Sequence, residues 1–586
     1  MKRITRALVL GVTVAALAAC SHKDKNAPLS YVPADTPYLI GNLKPLDKDT
    51  RKALLSSAEL QKSVQTGRLN DMADKFAKED KNDLANLLRY SANYLDQHSY
   101  AEIEADSGVD PDGLFAIYGL GLSPVGRGQL DDADKFDKWV AGFEKAYGHE
   151  FAKDTLDKVT YQHLALGDSN LQLLISHHDK SYVMALLPAD ADQKTLRQVL
   201  GLDKPENSAQ DKQVLKKLAD ANGYDPYVLS YVDITRLPAL VAGGKDPLLK
   251  ALLAAGARHD GKQAGKLMKK LPASCEPDLS RIAARVPMIS SGYTKISAKD
   301  TVQQMDVRLA PDIVQAFKGI GGDVPGLGDD PTKAMLDVTL ALPVPKVRDF
   351  WLAQAEAVKA KPFTCPALVS INDMAGKAQQ YLPRMGIPPL GDLRGLRLVV
   401  DQYDANDNGG ASPLSDLRAR VMIASKNPEG LLNIAKAMLP PLAQLKVEAD
   451  GKPVAVPDTL RQQFKVQQPA WVAVGKQALA IGIGKDEKDP LPGMLDAGTG
   501  KQDTLVRSHV DGSFYAKWLG LMQKQVAKQT ASTGDAEKDA KVEAEMARTR
   551  KDLETVQQAM QQIDGISTRV RMTDHGLRTH AETHLK

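Results

Sequence analysis

Short apolar segments that end in Asp or Asn and run directly into helical patterns recur along this chain. That recurrence limits its fold more than any other feature. The segments are Pro37-Tyr38-Leu39-Ile40-Gly41-Asn42, Pro226 to Asp233, Pro366 to Asp373 and Leu505 to Asp511. Each reads as a strand whose closing Asp or Asn suits a helix N-cap, where its side-chain oxygen accepts from an early amide. Val232, Ile371 and Val510 stand 139 residues apart, twice running. A fixed interval of that kind predicts internal duplication.

Hairpins lie between these segments, and their second strands turn through Pro, Asp or Asn into a helix. They are Leu171–Ile175 with Tyr182–Leu187, Ile289–Ile296 with Val302–Leu309, and Leu396–Tyr403 with Leu417–Ala424. Asn427 before Pro428 is a helix start, because Pro is preorganised for the first helical position. The alternation predicts an α+β fold of repeated antiparallel hairpin-plus-helix units, with helices packed on one face of the sheets. The units fall at 34–224 (with a helical insertion at 47–105), 225–365 and 366–504, with a partial repeat at 505–586. In the last, Val542, Met546, Leu553, Val556, Met560 and Ile563 follow a three-four spacing, and Gly565 is expected to end that helix. A hairpin around Asp574-His575-Gly576 closes the chain.

The first residues carry a different signal. Lys2, Arg3 and Arg6 precede an apolar run from Ala7 to Ala16, the order of a secretory signal and too short to span a bilayer. Leu17-Ala18-Ala19-Cys20 then resembles the bacterial lipobox. Residues 1–19 are read as a signal peptide and Cys20 as the lipidated first residue of the mature chain, with palmitate among the expected acyl groups. Such acyl chains, at about 0.8 kcal/mol per buried CH₂, hold a protein on a membrane. Residues 20–33 read as lipidated Cys and tether. Ser21, where Asp would favour the inner membrane, points to the outer membrane, with the body in the periplasm. Removing Lys2, Arg3 and Arg6 leaves 73 basic and 73 acidic residues, a balance with no global field for nucleic acid. The remaining cysteines, Cys275 and Cys365, form an even pair for an oxidising compartment and predict one disulfide. Closing that loop contributes about 4–5 kcal/mol in the chain-entropy account.

The sequence carries few signals of chemistry. Gly119-Leu120-Gly121-Leu122-Ser123-Pro124 has Pro where a dinucleotide fingerprint needs Gly, and Gly319 to Gly328 lacks GK[ST]. No G-x-S-x-G or H-E-x-x-H occurs. His580, Glu582 and His584 would share one strand face as three possible ligands, but a solvated face on a terminal strand is the preferred reading and no metal site is expected there. His177-His178 reads as a surface hairpin tip. Asp404, Asn406 and Asn408, with Gly409, match the first half of a calcium loop, but position 12 is Ser415 and a hairpin turn accounts for the segment. The aromatics Phe136/Trp139, Phe350/Trp351 and Phe514/Trp518 read as core anchors. No cofactor is expected.

Val32-Pro33-Ala34-Asp35-Thr36-Pro37-Tyr38, just after the tether, resembles the opening of a family of bacterial envelope lipoproteins of unknown function. The resemblance implies a repeated α+β envelope protein and transfers no catalytic residues. Three readings stay open. One is a non-enzymatic binding or scaffolding lipoprotein with envelope partners. The second is a carrier or chaperone for a lipid or other apolar ligand. The third is a hydrolase whose site assembles only in the fold. A wide apolar cavity points to the carrier, a His beside Ser or carboxylate in a cleft to the enzyme, and a surface with exposed apolar patches to the scaffold.

Overall fold

A computed structural model describes residues 26–78, 82–166, 170–259, 271–403, 417–463, 466–500, 503–528 and 560–586, with the single residues 546, 553 and 557. Cys20 and the candidate calcium residues Asp404, Asn406 and Asn408 lie outside the described residues. The class is α+β, and its strands join into one 19-stranded antiparallel sheet.

The first half of the chain supplies β1 (Tyr38–Gly41), β2 (Phe115–Leu120), β3 (Ser123–Gln129), β4 (Ala152–Leu156), β5 (Val159–Ala165), β6 (Leu171–His178), β7 (Ser181–Pro188), β8 (Leu229–Asp233), β9 (Met288–Ile296) and β10 (Asp300–Arg308). The second supplies β11 (Leu336–Ala341), β12 (Leu393–Gln402), β13 (Arg418–Ser425), β14 (Val454–Ala455), β15 (Ala470–Val474), β16 (Ala478–Ile483), β17 (Thr504–Asp511), β18 (Ile563–Thr573) and β19 (Gly576–Leu585). The halves meet where β10 pairs with β19. Outward from that seam the first half runs β10, β9, β8, β1, β2, β3, β7, β6, β5, β4. The second runs β19, β18, β17, β11, β12, β13, β16, β15, β14. The strand order is therefore the same in both halves, in the same chain sequence, with β4 extra at one edge.

The connections correspond as well. Helices follow β1 (Lys48–Lys78, Asn82–Gln97, Tyr100–Ser107) and β11 (Val344–Ala360, Val369–Tyr381). A helix follows β3 (Ala133–Tyr147) and β13 (Pro428–Met438). Local chemistry starts these last two alike: Asp132 accepts from Lys135 N, and Asn427 accepts from Gly430 N with Pro428 next to it. Two of the four recurring segments thus take equivalent places, as β8 and β17. The third does not: Pro366 to Asp373 is expected as a strand, but Val369 opens a helix. Asn372 there does not cap a helix; its side chain accepts from Phe363 N and donates to Phe363 O, both at 2.9 Å. Gly565 does not end a helix either, since β18 already begins at Ile563 and Gly565 pairs with Asp511.

One sheet face carries the main core. In the first half Leu39, Tyr118, Val125, Leu187 and Leu229 pack beneath Val199, Leu215 and Ala219 of the helices Gln193–Leu200 and Val214–Asn222. In the second, Val399, Met422 and Ala480 pack beneath Leu491, Met494 and Leu495 of the helix Pro490–Leu495. Over the outer strands the opposite face is covered as well, by Phe136 and Val140 against Ile175 and by Leu432 against Val472 and Val474. Cys275 and Cys365 are buried and disulfide-bonded, with Cα atoms 4.7 Å apart.

The two halves differ sharply at one point. Aligned on Val232 and Val510, the first-half residues Leu39, Ala116 and Leu229 correspond to Asp337, Arg397 and Arg507. All three of the latter are buried. Arg397 Nη2 and Arg507 Nη1 lie 3.0 and 3.2 Å from Asp337 Oδ2, Thr332 N donates to the same oxygen, and Arg507 Nη2 donates to Thr339 Oγ1. Burial pushes the Asp337 carboxyl up, but the Arg397 and Thr332 hydrogen bonds and both guanidinium charges hold it below the usual carboxylate range. Removing the one acid would leave two buried cations uncompensated. Asp337→Asn is therefore expected to lower unfolding free energy by about 3–5 kcal/mol in urea titration. Asp330→Asn, at an exposed carboxylate paired with Arg569, should change it by less than about 1 kcal/mol. Equal effects would contradict this assignment.

Candidate functional site

Strand alternation sorts the side chains at the seam into two unlike faces. On β19, Arg578, His580, Glu582 and His584 share one face, while Leu577, Thr579, Ala581 and Thr583 share the other. On β18, Ser567, Arg569 and Arg571 oppose Ile566, Thr568 and Val570 in the same way.

The second face is uncharged across almost the whole sheet. Met184, Gly126, Ile117, Ile40, Ser230, Ser291, Met305, Thr579, Val570, Val506, Leu340, Leu396, Ile423, Leu479 and Val474 form one transverse row, each paired with the next from β7 to β15. A neighbouring row, from Tyr293 through Gln303, Ala581, Thr568, Ser508, Val338, Leu398 and Val421 to Ile481, is uncharged too. Helices cover the ends of these rows, but the middle is open: Ile40, Ile117, Met305 and Leu398 are 38, 42, 40 and 38 % exposed. At roughly 4.8 Å per strand, the stretch from β2 to β13 extends about 50 Å. Isolated apolar side chains on a surface are ordinary, whereas a contiguous strip of this length marks a contact surface.

The first face is charged at the seam. Arg507 and Arg569 are directly opposite each other, as are Arg571 and Arg578, and His580 faces Arg569. Like charges in such positions cost stability. Arg578 Nε donates to Asp306 at 2.7 Å, and Arg569 Nη2 to Asp330 at 3.1 Å. Arg571 has no hydrogen-bond or ion-pair partner among the described residues, and its Nε is buried. Arg507, Arg569, Arg571, His580, Asp330 and Glu582 line a cleft of about 550 Å³ there.

Other expected residues fall apart chemically. His584 Nδ1 is 2.9 Å from Asp300 and His580 sits among arginines, and no group of three His, Cys, Asp or Glu among the described residues could hold a metal. His177 lies at the end of β6 with Nε2 3.0 Å from Asp137. Gly119 to Pro124 closes the β2–β3 hairpin around the two-residue turn Gly121-Leu122, with Gly121 in the left-handed region. Phe136 is a core anchor as expected, but Trp351 and Trp518 are exposed. His509 Nδ1 lies 3.0 Å from Ser567 Oγ, a contact with the look of a nucleophile and its base. Asp337 opposite His509 is held by its two arginines, and Ser567 lies mid-strand with its neighbours in the ladder. The pair therefore lacks both an orienting acid and free amides for an oxyanion. Among the described residues no helix is long and apolar enough to cross a membrane. The chain matches no known protein-family model, no curated protein and no solved structure.

Burial holds the His580 imidazolium below its ordinary pKa of 6.5, and Arg578, Arg571 and Arg569 add to this, against a smaller opposing contribution from Asp306. A histidine that resists protonation when folded makes stability fall as pH drops below about 6.5, down to its folded pKa. Urea midpoints should therefore decline less between pH 7.5 and 5.5 in His580→Asn than in the unaltered chain. An identical decline in both would show that His580 is not constrained in this way.

Proposed function

We propose that this chain is a lipid-anchored, non-enzymatic binding protein of the bacterial envelope. In this reading Cys20 carries the anchor, and the uncharged middle of the sheet receives an apolar or amphipathic segment of an envelope protein. The observation that carries the reading is the open strip through Ile117, Ile40, Met305 and Leu398. Apolar area already presented on a rigid sheet needs no ordering when a partner covers it, which lowers the cost of association. A surface without charges also accepts apolar groups with no desolvation of ions.

An apolar cavity lined by Leu87, Trp139, Phe143 and Met184 holds about 170 Å³, below the roughly 300 Å³ at which ligand pockets begin, which supports binding at a surface over carriage of an enclosed lipid. The test is photo-crosslinking in cells from probes at Ile117 and Leu398, with Asp157 on the exposed β4–β5 turn as the control. Adducts to one envelope protein from both strip positions, absent from the control and abolished by Ile40→Asp, are expected. Crosslinks to lipid alone would move the assignment to a carrier. No strip-specific adduct would overturn docking on this face.

A further inference from the structure

We infer that the cleft at the seam is an oxyanion site for a phosphate group, on the face opposite the uncharged strip. Its frame is rigid, because Arg569 and Arg571 project from β18, His580 from β19 and Arg507 from β17, all within one continuous ladder. Two arginine pairs stand directly opposite each other, an arrangement that repels itself and is relieved by an anion between the guanidinium groups. Arg571 points the inference to a ligand. It is the guanidinium of this group without a carboxylate, and its buried Nε has lost water without gaining an acceptor.

The acids in and beside the cleft do not fill that role. Asp330, which pairs with Arg569, has a side chain 94 % exposed and can swing away. Asp306 is occupied by Arg578, by Tyr224 Oη at 2.6 Å and by Gln304 Nε2 at 2.6 Å. Glu582 faces Ser567 across the ladder, and its carboxylate lies 3.8 Å from the His584 ring. A planar guanidinium fork suits the tetrahedral oxygens of a phosphate, which accept two parallel N–H bonds. At about 550 Å³ the cleft has room for a phosphate with a substituent, so free phosphate and a phospholipid headgroup share the required chemistry.

The test is calorimetric titration of the purified full chain with inorganic phosphate and, separately, with dihexanoyl phosphatidic acid below its micelle concentration. Binding of phosphate alone would identify a free-phosphate site, and binding only of the short-chain lipid would identify a headgroup site. In either case Arg571→Gln should weaken binding at least tenfold and Arg571→Lys less. Glu582→Gln, which removes a negative charge from the cleft, should tighten it. Absence of binding in both titrations would overturn the site. So would unchanged affinity in a folded R571Q chain, or in E582Q should R571Q fail to fold.

Discussion

The pairing of β10 with β19 is the interaction on which the rest of this structure depends. Asp300 to Arg308 meet His584 to Gly576 in continuous antiparallel register. Without that ladder the chain would be two separate half-sheets, each with a bare edge offering unpaired amides and carbonyls. With it, each half uses its own corresponding strand to close the other's edge. The uncharged strip is continuous only because Met305 of β10 faces Thr579 of β19, whereas the arginine cleft is carried by β17, β18 and β19 and is bordered by β10 through Val302.

The two faces serve opposite energetic ends. Near the outer strands helices remove both faces from water, and the usual apolar clusters form. Toward the seam the cover is thinner, and the chain places charges on one side and aliphatic and hydroxyl groups on the other. The buried Asp337–Arg397–Arg507 cluster marks where the second half departs from the apolar core of the first. Replacing Leu39, Ala116 and Leu229 equivalents by an ionic triad gains little net stability, because desolvation offsets most of the attraction. It does supply a fixed positive flank beside Arg569, so its position next to the cleft is consistent with a binding role.

Much of the local architecture was legible in the residues. The hairpins at 171–187, 289–309 and 396–424 and the closing hairpin follow from period-two alternation between turn residues. The Asn427-Pro428 start and the Cys275–Cys365 bond follow from local and redox chemistry. Val232 and Val510 lie on strands that hold the same place in the sheet, each third from the seam, while Ile371 at the same interval lies in a helix. The segment at 366–373 misled because a short apolar run has no period of its own, and the Asn372 bonds to Phe363 act only once the helix has formed. The candidate site was harder to see. Alternation shows that Arg569 and Arg571 share a face, and that Arg578 and His580 do. That these faces coincide with that of Arg507 is set by strand pairing across more than 60 residues, which no local pattern encodes. Trp351 and Trp518 look like core anchors for the same reason: helical spacing says which residues share a stripe, not whether anything covers it.

Amide hydrogen exchange on the full chain tests the central claim, a single sheet joined at β10 and β19, most directly. Amides on both strands, including Gln304 and Asp306 and their partners His580 and Arg578, are expected to exchange as slowly as those of β12 and β13 in the interior of the second half. Fast exchange along β10 and β19, with β12 and β13 still protected, would show two independent lobes. The continuous strip across the seam would then fall.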